Sequence, residues 1–406
     1  MILEVEAWKI LTIPKVEQFV EEHLNENPAL VALNHKKNEF PIQIVSERIK
    51  YLQKARKKLP SFFAKRCLFP PKAYEQSSSE AAARLKKFEG KRILDLTCGL
   101  GADVWNWSQH FDEVITLEPD PELFPIVQHN FQKLDLYNVT VLPETAEAFV
   151  EGYNGEPFEM VYADPDRRGD GKARIHHPLE GAPNLNLIMP RLRQLADLLV
   201  VKLSPMVELA ELPLLFPDLA GWTVISVDGE CKEVLAFISL NSQKESLLNQ
   251  LSISRLGQEW HLKLPSPDEF QASDLLPDRL TFLAEPDVTA YKAHRLDGFL
   301  TGGPWKEEWK QLTRHGFLGS SSAPTVSMPA RMMQIEAVFS YKPGLIRKHL
   351  KAESIRSLEI TRRDFPFSPA DIRAALKVKQ GGSNWLWCTE INGNKWAFLG
   401  KKYSLS

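Results

Sequence analysis

Short apolar runs recur along the middle of the chain: Ile93, Leu94 and Leu96, then Val114 to Leu117, Val139–Leu142, Phe158 to Ala163 and Leu198–Leu203. Each is four to eight residues long and ends in a polar residue or a turn former, which is how buried strands read. The segments between them carry helical spacing, as in the stretch from about Pro121 to Leu134. Strands alternating with helices predict a mostly parallel, doubly wound α/β sheet, with its ligand at the carboxyl ends of the strands. Two further runs, Trp222–Val227 and Val234–Leu240, are joined by DGECKE and predict a closing hairpin. Upstream, Ile42, Val45, Ile49, Leu52 and Leu59 recur at helical spacings, and Pro60 stops that helix; Ser77 or Ser78 is expected to cap a further helix, packed on the first strand and ended by Gly90. Residues 1–89 are therefore expected to be a helical domain and 90–240 the sheet. Residues 241–328 hold short strand-like runs (Leu251–Ile253, Trp260–Leu264, Leu280–Leu283), a helix from Val288 to about Leu300 and an SSSAP linker; 329–406 predict a mixed α+β domain.

The chemistry gathers at the predicted strand ends. The first run closes on Asp95 and Thr97, followed by Gly99 and Gly101 and a helix opened by Asp103. The second closes on Glu118. Glycines let the backbone approach a ligand, and an acid about twenty residues on can accept both hydroxyls of a ribose, so a nucleoside ligand is expected. A dinucleotide fingerprint would need a third glycine where Val104 stands. That disfavours a nicotinamide oxidoreductase. The fourth run leads into Asp164-Pro165-Asp166-Arg167-Arg168-Gly169, and the fifth carries Lys202 near its end. The polar, glycine-rich and proline-rich stretch from Arg167 to Asn184 is expected to cover the pocket as a gate; His176 and His177 within it are expected to be an exposed pair rather than catalytic groups.

The pattern D-x-x-x-G-x-G followed by an acid resembles the first motifs of class I S-adenosylmethionine-dependent methyltransferases. The resemblance implies a seven-stranded methyltransferase sheet and puts Asp95, Gly99 and Gly101 around the amino-acid half of S-adenosylmethionine. It puts Glu118 on the ribose, with Thr97, Asp103 and Pro119 beside them. It also implies that Gln76 and Ser77, ahead of the first strand, approach the methionine part, and that Ala146, Glu144 or Glu147 lies near adenine, the alternative reading of that stretch being a plain helix cap. In members that methylate amino groups of bases the fourth strand ends in Asp or Asn, Pro, Pro and an aromatic. Asp164 and Pro165 match, so Asp164 is expected to orient the acceptor nitrogen, while Asp166 and Arg167 replace the proline and the aromatic. Arg167, Arg168 and Lys202 then become candidates for holding substrate, by stacking or by phosphate contact. Cys98 sits in the glycine turn rather than beside Asp164, which argues against a covalent cysteine mechanism. The last fifth of the chain resembles the THUMP-like carboxyl-terminal domain of bacterial methyltransferases.

Composition narrows the partners. The chain of 406 residues is 43% hydrophobic and 25% charged, with a formal net charge of −2, so any nucleic-acid surface must be local. Two local concentrations of cations exist. Between Ser46 and Arg66, Arg48, Lys50, Lys54, Arg56, Lys57, Lys58, Lys65 and Arg66 face the single acid Glu47. Between Lys342 and Gln380, 10 Lys or Arg face 4 acids, with Phe365 and Phe367 beside Arg362 and Arg363. Either set is a solvated face or a phosphate-contacting one, and cations among aromatics suit unpaired RNA. RNA is the expected partner, as tRNA or rRNA; a protein or small-molecule acceptor, or a non-catalytic RNA-binding protein with a retained cofactor pocket, are the alternatives. Four scattered cysteines give neither a disulfide framework nor a zinc site, so no metal and a reducing cytoplasm are expected. No stretch has the roughly 20 apolar residues of a membrane span.

Overall fold

The computed structural model describes residues 7–166, 178–241, 247, 249–266 and 276–405. They form two compact units: Met1–Trp222 with Glu233–Leu247, and Thr223–Lys232 with Leu248–Ser406.

The first unit begins with short helices, most of them started by a proline whose missing N–H costs nothing there (Pro14–Glu22, Pro28–Asn34, Pro60–Ala64, Pro71–Gln76). The basic helix is Ile42–Lys58, and its apolar face, Val45, Ile49, Leu52 and Ala55, is fully buried. Strands follow: β1 Gly90–Asp95, β2 Phe111–Leu117, β3 Val139–Leu142, β4 Phe158–Ala163, β5 Ala196–Leu203, β6 Leu219–Val227 and β7 Glu230–Ser239. The order in the first unit is β3-β2-β1-β4-β5-β7. The first five are parallel, and β7 runs antiparallel to β5. Leu94, Val161, Leu199, Val200 and Val201 are fully buried, as expected for a parallel sheet covered on both faces. The carboxyl ends of β1, β2, β4 and β5 therefore open side by side.

Three expectations need correction. The helix ahead of β1 is Glu80–Arg84 and is capped by Ser79, whose hydroxyl accepts from Ala82 N at 3.2 Å; neither Ser77 nor Ser78 caps it, and it ends well before Gly90. The helix from Val288 to Leu300 is two helices, Val288–Lys292 and Leu296–Thr301, because His294 adopts a left-handed φ of 51° and Arg295 N turns back to Ala290 O at 3.0 Å. The hairpin does not close the sheet at seven strands: β6 continues through Val227 in the second unit, where β8 (Gln250–Arg255) pairs parallel to it and β9 (Gln258–Lys263) pairs antiparallel to β8.

The second unit also holds β10 Phe282–Pro286, β11 Lys310–Gln311, β12 Leu318–Ser320, β13 Ala330–Ser340, β14 Ser357–Arg362, β15 Lys379–Ile391 and β16 Asn394–Tyr403. They make one sheet ordered β11-β12-β10-β13-β16-β15-β14, so strands from both sides of residue 329 share it. Alternation along β15 separates two cores. Leu386 and Cys388 pack with Ile346, Leu350, Ile372 and Leu376 from the helices Pro343–Ala352 and Pro369–Leu376. Trp387 packs with Leu283, Phe317, Met333 and Phe398. Ser368 and Asp371 form a capping box on the second of those helices.

Candidate functional site

The turn after β1 is held by its own carboxylate. Asp95 is 1% exposed and accepts from Thr97 N (3.1 Å), Thr97 Oγ1 (3.3 Å) and Thr116 Oγ1 (2.6 Å). Gly99 and Gly101 take φ of 53° and 82°, where a side chain strains the backbone. A Cβ on Gly101 would stand 2.3 Å from the Phe131 ring, whereas one on Gly99 would meet nothing within 4 Å. Gly101 is thus fixed by packing, and Gly99 borders open space. Val104, the residue where a dinucleotide fold needs glycine, is fully buried in the helix Ala102–Trp107.

At the end of β2 Glu118 is 6% exposed; its carboxylate accepts from Asp120 N at 3.0 Å and from the backbone of Gly99. Burial pushes Asp95 and Glu118 each up to about 7. Neither forms an ion pair among the described residues. Pro119 is exposed, and Ala146 is buried behind the Thr145 cap of the helix Ala146–Gly152. Glu147 accepts from Asn184 N at 2.8 Å, tying down the start of the helix Leu185–Leu195.

The end of β4 is joined to the glycine turn: Asp164 N donates to Thr97 Oγ1 at 2.8 Å. The Asp164 carboxylate faces Lys202 Nζ at 2.5 Å. Lys202 also reaches Ser78 Oγ (3.2 Å) and lies 3.8 Å from Glu233 Oε2. Burial disfavours its charge, but Asp164, Glu233 and Asp103 outweigh that and raise its pKa above the ordinary lysine value. Lys202, expected as a contact for substrate phosphate, thus has carboxylates on two sides. Pro165 is buried, and Asp166 is bridged to Ala182 through N–H···O contacts of 2.9 and 3.2 Å. Arg167, Arg168, His176 and His177 lie outside the described residues, as does most of the expected gate.

Four further residues, invisible as site candidates in the sequence, complete this region. Lys86 has no exposed side-chain surface; its Nζ stands 2.6 Å from Asp103 Oδ1, 3.2 Å from Tyr162 OH and 2.8 Å from Glu233 Oε1. Glu233 Oε1 finds no aligned hydrogen bond, so that last contact is held by charge. Ser78 Oγ donates to Asp103 Oδ2 at 3.2 Å and Tyr162 OH does so at 3.3 Å. For Asp103, burial works against ionisation, and Lys86 and Lys202 reverse it, leaving a lowered pKa. The result is a largely buried chain of alternating charge, Asp103, Lys86, Glu233, Lys202, Asp164, whose last member is partly exposed at the carboxyl end of β4. Gln76 is exposed and Ser77 Oγ donates to Tyr74 O at 2.9 Å, so the side chain from this segment that meets the network is Ser78.

The two cationic concentrations differ. Along the amino-terminal stripe most cations are engaged: Arg48 is 6% exposed and donates to Leu11 O, Lys54 pairs with Glu75 (2.5 Å), Lys65 with Asp135 (2.6 Å), Arg66 with Glu21, Arg56 with Asn25, and Lys58 with Tyr74 O (2.5 Å). The cations of this stripe are thus largely engaged within the first unit. Between Lys342 and Gln380 only Arg363 is in an ion pair among the described residues, with Glu285 at 2.9 Å. Arg347, Lys348 and Lys351 are exposed along one side of the helix Pro343–Ala352. Of the two aromatics, Phe365 is core at 4% exposed, and Phe367 is 40% exposed and stacks on Tyr341.

Residues 330–402 match a family model described as THUMP domain-like. No curated protein matches the sequence. Among solved structures the chain is similar to one described as a candidate methyltransferase from Porphyromonas gingivalis W83, at 22% identity and a TM-score of 0.74, covering 96% of this chain and 98% of that one. The two chains share one fold. Similarity also extends to a candidate RNA methyltransferase from Pyrococcus horikoshii (16% identity, TM-score 0.31, 45% of this chain and 99% of that one). A protein described as an rRNA methylase from Streptococcus thermophilus shows 13% identity and a TM-score of 0.28 over 40% of this chain and 94% of that one. The last two scores are too low to inform the fold. Among the described residues no group of His, Cys, Asp and Glu could hold a metal ion, and no helix is long and apolar enough to cross a membrane.

Proposed function

We propose that the protein is an S-adenosylmethionine-dependent methyltransferase that modifies a base of RNA, with Asp164 orienting the acceptor nitrogen. One observation carries the cofactor assignment: two buried carboxylates, Asp95 and Glu118, have pKa values pushed up to about 7 with no cation to meet them among the described residues, on either side of the open glycine Gly99. Such a site favours a ligand that brings positive charge and hydroxyl donors and has no phosphates, which S-adenosylmethionine fits and NAD or ATP does not. Glu118 would accept the ribose hydroxyls, the Gly99 backbone would lie against the ligand, and Asp95 would hold the turn while its charge favours the cationic end. Bound there, the cofactor supplies an electrophilic methyl group on a sulfonium.

The chain's own contribution is positioning and proton control. Asp164 is fixed twice, by its backbone on Thr97 and by its carboxylate on Lys202. A carboxylate anchored in this way accepts a hydrogen bond from an amine and directs its lone pair, and restricting the acceptor to a productive pose is where the rate gain lies. Calorimetry tests the first half: S-adenosylhomocysteine should give heat and NAD and ATP none. Methyl transfer from tritiated cofactor to RNA of a deletion strain tests the second; cofactor binding without transfer would leave a binding protein.

Glu118→Ala should weaken S-adenosylhomocysteine by about 1–3 kcal/mol, the cost of leaving buried donors without a charged acceptor. The pH dependence has a definite sign. Because the folded pKa values are raised, these two groups stabilise the ligand-free chain below their unfolded values near 4, and that contribution is lost as pH rises through about 7. The ligand prefers the ionised forms, so affinity should rise between pH 6 and 8, by up to roughly tenfold per pH unit and group below 7. Calorimetric titration at three pH values reads this directly; a flat profile counts against the cofactor site.

The contrast between the two cationic regions supports RNA contact through the second unit. Reversing Arg347, Lys348 and Lys351 to Glu should cut RNA affinity at least tenfold and flatten its log–log salt dependence by about 0.7 for each single-strand phosphate that is no longer bound. Lys54→Glu with Arg56→Glu should change it less than twofold. Filter binding between 50 and 200 mM salt separates these outcomes.

A further inference from the structure

The second unit contains a cavity of about 420 Å³ lined by Tyr291, His294, His315, Arg362, Arg363 and Asp364. Its lining is built rather than incidental. The Arg363 guanidinium lies 3.7 Å from the centroid of the Tyr291 ring and is fixed by Glu285, so it forms a flat, oriented wall. Glu285 is 6% exposed and is shared with Arg331, so the Arg331–Glu285–Arg363 group keeps one net positive charge. Arg362 is exposed, donates through Nη1 to Phe365 O at 2.8 Å and forms no ion pair among the described residues. Asp364 is held by Thr313 Oγ1 (2.7 Å) and His315 N (3.0 Å), both on Oδ2. The rings of His294 and His315 meet edge to face, 5.6 Å apart. His294 and Asp364 both sit at left-handed φ, 51° and 45°, conformations uncommon for residues with a Cβ.

Unmet positive charge, flat π faces and one carboxylate with a free oxygen in a volume at the small end of ligand pockets describe the parts of a phosphorylated nucleoside. We infer that this cavity binds one nucleotide of the RNA strand, its phosphate on Arg362, its base against the histidine rings, and Asp364 accepting from a hydroxyl or amino group. Base stacking on such faces and phosphate contact by arginine are the usual means of holding unpaired RNA. The inference rests on RNA being the substrate, and it assigns that substrate a second point of attachment, on the second unit.

The experiment is calorimetry or ligand-observed NMR on the full chain with adenosine 5′-monophosphate, adenosine and inorganic phosphate. The monophosphate should bind at least tenfold more tightly than either fragment. Arg362→Gln should weaken it at least tenfold. So should His294→Ala, whereas His294→Asn should lose only the stacking share, because asparagine tolerates the left-handed backbone. S-adenosylhomocysteine binding to the same variants should not change, which shows that they are folded and keeps the two sites separable. A short single-stranded RNA should displace the monophosphate. Absence of monophosphate binding up to about 10 mM, or binding by Arg362→Gln and His294→Ala as tight as by the unaltered chain, overturns the site. Monophosphate binding that RNA does not compete for overturns its assignment to RNA and leaves a free nucleotide as the occupant. Loss of cofactor binding with nucleotide binding intact would instead sink the methyltransferase reading alone.

Discussion

Asp164→Ala is expected to lower methyl transfer by about 10²-fold or more while leaving S-adenosylhomocysteine affinity within about twofold. The asymmetry follows from where the residue stands. Its carboxylate touches neither Gly99 nor Glu118; it projects from the end of β4 toward Lys202 and is partly exposed. Losing an interaction made only with the acceptor in the transition state lowers kcat and kcat/KM together and leaves cofactor binding alone. Folding should survive the change, because Lys202 keeps Ser78 at 3.2 Å and Glu233 at 3.8 Å. Asp164→Asn retains the shape but removes the charge, so comparing it with alanine separates orientation from electrostatics. Near-normal transfer by both variants would mean that the acceptor is oriented by another group.

The largest stability effect is expected at Lys86. Lys86→Met places an apolar chain of similar length where Nζ now meets Asp103 and Glu233, and takes the nearest cation from two largely buried carboxylates. Breaking a buried pair from one side costs about 3–5 kcal/mol. For a domain of this size that is a fall in Tm on the order of 10 °C in the transition that S-adenosylhomocysteine shifts. Combining Lys86→Met with Glu233→Gln should restore part of the loss, since one stranded charge is then removed. Scanning calorimetry decides; a shift below about 2 °C would show that the network is solvated and that its charges are screened.

Much of the sheet was legible because its strands are buried on both faces and therefore read as uninterrupted apolar runs; β3 and β4 have the bounds that the pattern predicts. The errors fell where local and distant forces compete. A helix pattern from Val288 onward could not announce the turn at His294, since the apolar spacing continues across it and only the backbone at one residue departs. The edge of the sheet was misjudged for a related reason: whether β6 ends the sheet or receives β8 depends on hydrogen bonds to a strand more than twenty residues away. Charge was the least legible property. Lys54 and Lys348 look alike in sequence, yet one is paired with Glu75 and the other has no partner among the described residues.

The sequence by itself determined the positions at which the backbone or a strand end leaves no choice. Gly99 and Gly101 carry the turn, and Asp95, Glu118 and Asp164 stand at strand ends because the residue following a buried apolar run is the first that can be polar. The tertiary structure alone decided which charges meet. Ser78, Lys86, Tyr162, Lys202 and Glu233 come from five separate segments, and in the linear chain each has an ordinary reading as a cap, a surface lysine, a strand aromatic, a strand-end lysine or a hairpin acid. The fold links them by successive contacts of less than 4 Å in a largely buried site. There the cost of burying an unpaired charge selects the pairing, and that cost is a property of the folded interior rather than of the sequence around any one of them.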